Sequence, residues 1–105
     1  MNDIFLKIIN REIPADIVYE DERVIAFKDI QPVQPGHFLV VPKKHSKNCV
    51  EMEQEDFTYL LLKARELANN LVLQKQIPGF QLIINTGSSA GQTVFHTHVH
   101  IIPFK

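Results

Sequence analysis

The sequence predicts an α+β fold: a mostly antiparallel five-stranded sheet with one long and one short helix, in a single domain spanning residues 1–105. Three observations lead there. Short runs rich in β-branched and aromatic residues recur along the chain, separated by polar or Gly/Pro-containing connections. One long stretch, from about Gln54 to Leu73, carries apolar residues at helical spacing. Strands and helices do not alternate in β–α–β order, which argues against a doubly wound parallel sheet.

The elements follow in order. Ile4, Phe5, Ile8 and Ile9 have helical spacing behind Asp3, which can cap a short helix ending near Asn10, before Pro14. Ile17-Val18-Tyr19 and Val24-Ile25-Ala26-Phe27 read as a hairpin across the polar connection Glu20-Asp21-Glu22-Arg23. Asp29 to Gly36 is a loop carrying Pro32 and Pro35. His37-Phe38-Leu39-Val40-Val41-Pro42 is apolar on both faces, so it predicts a central strand covered on both sides. Lys43 to Asn48 is a basic polar loop. In the long helix Phe57, Leu60, Leu61, Ala64, Leu67, Ala68 and Leu71 form one continuous core-facing stripe. Glu53, Glu55 and Asp56 at its start favour the positive end of the helix dipole. Ile77-Pro78-Gly79 ends it, Phe80 to Asn85 is a further strand, and Thr86 to Gly91 is a loop of small residues. The last strand is predicted over Phe95 to Ile102.

Composition narrows the function. A formal net charge of -1 argues against general nucleic-acid binding and against an anionic-membrane habit. Cys49 is the only cysteine, so neither an intramolecular disulfide nor a cysteine-rich metal site is available. No basic segment followed by a long apolar run opens the chain, which predicts no signal peptide and a cytoplasmic setting. No apolar run is long enough to span a bilayer.

Three of the five histidines, His96, His98 and His100, recur at two-residue spacing among β-formers. In a strand such residues line one face, roughly 6.7 Å apart. Two chemistries suit a row of imidazoles. One is a three-histidine metal site. The other is a phosphate site in which one neutral ring attacks phosphorus while its neighbours donate hydrogen bonds. A metal site calls for carboxylates that orient the imidazoles, and none lies between Glu66 and the C-terminus. The stretch Gly87-Ser88-Ser89-Ala90-Gly91-Gln92-Thr93 instead provides small residues and hydroxyl and amide donors suited to an oxyanion. The expectation is a phosphate site with neither metal nor cofactor.

The segment from Gly91 to Pro103, containing His96-Thr97-His98-Val99-His100-Ile101-Ile102, resembles the signature of the histidine-triad (HIT) superfamily, His-φ-His-φ-His-φ-φ with φ apolar. Thr97 departs from it at the first φ. Ile4-Phe5-Leu6-Lys7-Ile8-Ile9 with Glu12-Ile13-Pro14, Ala26-Phe27-Lys28-Asp29-Ile30, and His37 to His45 are similar to the histidine-triad nucleotide-binding branch. The resemblance covers nearly the whole chain. It implies a homodimer whose sheets join, a purine nucleoside monophosphate or phosphoramidate as ligand, and hydrolysis of the P–N bond of nucleoside 5′-phosphoramidates.

Carried over by position, His98 is the nucleophile and His100 the hydrogen-bond donor to the phosphate. His96 and His37 stand behind them and manage protons, and Thr93 donates towards phosphate or leaving group. Asn85 and Gln92 fall at the phosphate, Asp29 at the ribose hydroxyls, and Phe5, Ile8, Phe27 and Ile30 in the pocket for the base. Without the resemblance, Asp29 reads as a local turn cap and Phe5 and Ile8 as core. His37 would then be a strand-start residue and His45 a surface loop residue. Better-known members of that branch carry a longer segment after the triad that helps select the leaving group, whereas this sequence stops at Lys105. Leaving-group selectivity therefore stays open. So do two alternatives, a dinucleoside polyphosphate hydrolase and a nucleotide-binding regulatory module.

Overall fold

The computed structural model describes residues 3–105. Helix α1 spans Ile4–Ile9, followed by β1 (Ile17–Glu20), β2 (Val24–Lys28), β3 (Phe38–Pro42), α2 (Gln54–Leu71), β4 (Gly79–Ile83) and β5 (Val99–Phe104). The strands form one sheet in the order β1-β2-β3-β5-β4, every neighbouring pair antiparallel. The predicted class, strand number and helix pair are those observed. Among the described residues no helix is long and apolar enough to cross a membrane.

Alternation along the central strands builds two cores. Val24 and Ala26 of β2, Phe38 and Val40 of β3, and Val99 and Ile101 of β5 pack against Leu60, Ala64, Leu67 and Ala68 of α2. Ile25, Phe27, Leu39 and Val41 point the other way, onto Phe5 and Ile8 of α1. The doubly apolar reading of β3 follows from this sandwiching, which β2 shares. At the β1–β2 turn Asp21 accepts from the backbone of Arg23 and Val24 and from the hydroxyls of Tyr19 and Tyr59, locking the hairpin to α2. Burial pushes the Asp21 carboxyl up, but these four donors outweigh it and hold it down at about 2.

Several boundaries differ from expectation. Helix α2 stops at Leu71, and Leu73–Lys75 continues as a single 3₁₀ turn. Strand β4 begins at Gly79 and ends at Ile83, short of Asn85, and β3 begins at Phe38, leaving His37 just outside it. The largest difference concerns the histidines: β5 begins only at Val99, so His96 and His98 lie before the strand. The β3–β5 ladder ends at the pair Val40 and Val99. Beyond it the Thr97 N–H donates to the Ser46 carbonyl instead. The carbonyl of Pro42 is taken by the His96 ring. Pro42 also has no N–H to extend a ladder.

Candidate active site

The imidazoles collect along the β3–β5 seam on the α1 face. His100 lies in β5 opposite Leu39, a residue of the α1-side core, and His37 immediately precedes β3. The row is therefore held by one strand residue and three flanking ones. The His98 and His100 rings meet edge to face with centroids 4.9 Å apart, and His37 and His100 lie at 5.2 Å. The Phe5 ring of α1 meets His98 at 4.9 Å and His96 at 6.0 Å.

Hydrogen-bond partners assign each ring its proton, because a carbonyl only accepts and a backbone N–H only donates. The His98 Nδ1–H donates to the His96 carbonyl at 2.8 Å. In a neutral ring this leaves the lone pair on Nε2. Among the described residues His98 Nε2 has no protein partner, yet no buried side-chain nitrogen or oxygen lacks one. The atom is therefore open to the outside.

His37 Nδ1 accepts from the Val33 N–H at 3.1 Å, which places the His37 proton on Nε2. That N–H donates to His100 Nδ1 at 3.0 Å, with Asp29 Oδ2 to one side at 3.5 Å. His100 consequently carries its own proton on Nε2, the atom left free for a ligand. The chain Val33, His37, His100 is a relay of fixed donors. It ends in an N–H on the ring that meets His98 edge to face.

Burial keeps these rings neutral. It pushes the His100 imidazole down to about 4, aided by the neighbouring His98 and His37 and opposed by Asp29. Burial also lowers His98, against the opposing pull of the His96 carbonyl. His37 is lowered by burial as well, with the Asp29 carboxylate opposing. At neutral pH the site therefore offers one lone pair and one N–H donor side by side. That pairing suits attack on an electrophilic centre that carries oxygen.

His96 is fully buried and engaged at both nitrogens. Its Nε2–H donates to the Pro42 carbonyl at 2.6 Å, and Nδ1 meets Asp3 Oδ2 at 2.8 Å. His45, expected on the surface, is half exposed, donates to the Phe95 carbonyl at 3.0 Å and stands against His96. The sequence placed no carboxylate near the triad. The fold brings two, Asp3 behind His96 and Asp29 beside His37. Two groups, Asp3–His45–His96 and Asp29–His37–His100, hold donor atoms within 4.8 Å of one another and could face a cation.

The other expected residues divide. Gln92 is a correction: its amide is not free for a phosphate, because it is 2% exposed and fully engaged in holding its own loop. Its Oε1 accepts from Gly87 and its Nε2 donates to the carbonyls of Lys47 and Val94. Phe5, Ile8 and Phe27 are buried in the α1-side core rather than lining an open wall, and of the three only Phe5 reaches an imidazole. Ile30 is 87% exposed. Asp29 is the turn cap, its Oδ1 accepting from the Gln31 N–H at 2.9 Å, while Oδ2 faces His37. Thr93 is exposed and Asn85 half-buried. Gly91 lies against Asn85 at a φ of +96°, and a Cβ there would come within 3.6 Å of the Asn85 amide. Among the described residues neither Thr93 nor Asn85 hydrogen-bonds to an imidazole.

Fold and site together define a small antiparallel α+β protein with neutral imidazoles aligned along one strand seam. The chain belongs to the HIT domain family, which matches residues 10–105. It is 52% identical over 102 residues to a 13.1 kDa HIT-like protein of Mesomycoplasma hyorhinis, covering 97% of this chain and 92% of that one. Among solved structures it is similar to a HIT family hydrolase from Clostridium thermocellum, with 44% identity, a TM-score of 0.87, and coverage of 99% of this chain and 91% of that one. It is also similar to a hypothetical histidine triad nucleotide-binding protein from Sulfolobus tokodaii, at 41% identity and a TM-score of 0.89, over 96% of this chain and 68% of that one.

Proposed function

We propose that the protein is a nucleotide-binding hydrolase of the histidine-triad nucleotide-binding type. It cleaves the P–N bond of purine nucleoside 5′-phosphoramidates through a nucleotidyl-histidine. The observation that carries this reading is the proton arrangement of His98, with Nδ1–H held on the His96 carbonyl and the open Nε2 bearing the lone pair. The histidine triad nucleotide-binding protein and the HIT family hydrolase to which the chain is similar support a nucleotide ligand and hydrolysis.

In the first step His98 Nε2 attacks phosphorus and the P–N bond breaks. The departing amine takes up a proton, relayed in this reading by Thr93, which is exposed on the loop before the triad. The His100 Nε2–H donates to a phosphate oxygen as charge builds there. Water then attacks the same phosphorus and the bond to His98 breaks. The nucleoside monophosphate leaves, a proton is released, and the ring is neutral again. Asn85 adds a donor at the phosphate, Asp29 Oδ2 accepts from the ribose, and the exposed Ile30 receives the base, while Phe5, Ile8 and Phe27 contribute through the α1-side core. His96 and His37 hold the other rings, and Gln92 holds the loop. The same reading includes a homodimer, supported by β4, whose outer edge is unpaired within the chain.

The test is turnover on adenosine 5′-phosphoramidates beside diadenosine polyphosphates, with trapping of nucleotide on His98. Preference for the phosphoramidate and a trapped adenylyl-His98 are expected. Preference for the polyphosphate would assign the chain to dinucleoside polyphosphate hydrolysis. A His98→Ala protein that loses turnover but keeps its cellular role would make nucleotide binding the function.

A further inference from the structure

We infer that Asp3 is a positioning residue for His98, acting through the His96 ring and through helix α1. The inference rests on the reading of His98 as nucleophile. The sequence shows Asp3 only as a helix cap, and its Oδ1 does accept from the N–H groups of Phe5 and Leu6 at 3.0 and 3.1 Å. Its second oxygen does something a cap does not require. Oδ2 reaches across more than ninety residues of sequence to His96 Nδ1 at 2.8 Å, with His45 Nε2 at 3.7 Å beyond it.

Two supports of His98 meet in this one carboxylate. The first is the main chain of His96. Asp3 on Nδ1 and the Pro42 carbonyl on Nε2 clamp the His96 ring from opposite sides. The carbonyl of that same residue receives the His98 Nδ1–H and so sets which nitrogen of His98 is nucleophilic. The second is the Phe5 ring, whose edge-to-face contact with His98 at 4.9 Å limits rotation of the imidazole. Phe5 sits on a helix of only six residues. Such a helix persists only through its docking and its cap. Loss of the Oδ2 arm would free the His96 ring while leaving the cap in place. Loss of both arms would release α1 as well.

Substitutions at Asp3 separate the arms. Asp3→Ser keeps a capping oxygen and has no second arm. Asp3→Asn keeps the cap and a polar group facing His96. Asp3→Ala keeps neither. Long-range ¹⁵N–¹H spectra of labelled histidine read the His98 tautomer directly, without substrate. Single-turnover nucleotidylation of His98 reads its reactivity. For Asp3→Ser the expected result is a shift of His98 from a single Nδ1–H form towards a mixture. Nucleotidylation per folded molecule should slow by about 10- to 100-fold, the scale of a misplaced reacting group, with KM nearly unchanged and the thermal midpoint lowered but the protein still folded at the assay temperature. Asp3→Asn should recover part of the rate, and Asp3→Ala should lower the midpoint further. Wild-type tautomer and wild-type rate in Asp3→Ser would overturn the inference and leave Asp3 a cap. A wild-type protein inactive on phosphoramidates, whose His98 tautomer still responds to Asp3→Ser, would sink the proposed reaction while sustaining the positioning role.

Discussion

The two faces of the sheet are built from the same alternating strands but closed in opposite ways. On one, the eighteen-residue helix α2 lays Leu60, Ala64, Leu67 and Ala68 over apolar strand residues, with the Tyr19 and Tyr59 hydroxyls tied off on Asp21. On the other, the six-residue α1 covers only part of the sheet, and imidazoles occupy the rest of the seam. Each ring there has to find a specific donor or acceptor, since an unpaired buried nitrogen is costly. Stability is concentrated where shape alone matters, and chemistry where hydrogen-bond direction matters. The difference predicts that mutations on the two faces act on different observables.

The sharpest break of that symmetry is His98→Ala. Turnover should fall on the order of 10³-fold or more, as on removal of other nucleophiles, while circular dichroism shows the fold intact. Next comes His100→Ala, which removes the N–H donor next to the His98 ring. A loss of about 10²- to 10³-fold in kcat is expected, with adenylyl-His98 still detectable by mass spectrometry. Equal loss for both variants would mean that the two rings act as one unit and not in the unequal roles their partners impose.

On the α2 face, Leu60→Ala should cost about 2–5 kcal/mol in urea unfolding yet leave kcat per folded molecule unchanged. A matching loss of kcat would show the faces to be coupled. The smallest effect is on pH dependence. His37, His98 and His100 are all held below the usual imidazole value of 6.5, His100 at about 4. Below 6.5 the unfolded chain takes up protons that the folded rings resist. Acid therefore erodes stability from 6.5 downward until His100 too is charged near 4. Above 6.5 these rings contribute no slope. The same neutrality should place the acid limb of kcat/KM below 6.5, measurable on a non-titrating substrate. A limb above 6.5 would contradict a buried neutral nucleophile.

How much was legible follows the same division. The α2 stripe, the hairpin and the doubly apolar β3 were readable because period and composition encode burial locally. The cluster His37, His98 and His100 was found from the two-residue spacing and the family resemblance. The strand itself was misplaced, since a run of β-formers does not reveal that the partner strand ends at Pro42. Gln92 was read as a phosphate donor because its neighbours are small and polar. Only the closed loop shows that its amide is already occupied. Asp3 and His45 carried no signal, as nothing in the chain's order relates residue 3 to residue 96.

By itself the sequence determined the class of fold, the two core-facing patterns and the set of rings from which the site is made. These depend on hydrophobic periodicity and residue type, which are local properties. Only the tertiary structure decided which nitrogen of His37, His98 and His100 holds its proton. The Val33 N–H to His37 and the His96 carbonyl to His98 are near in sequence but oriented by the fold, while His37 reaches His100 across 63 positions. Three similar imidazoles in a row acquire unequal hydrogen-bonding roles because hydrogen bonds are directional and the fold gives each ring a different partner.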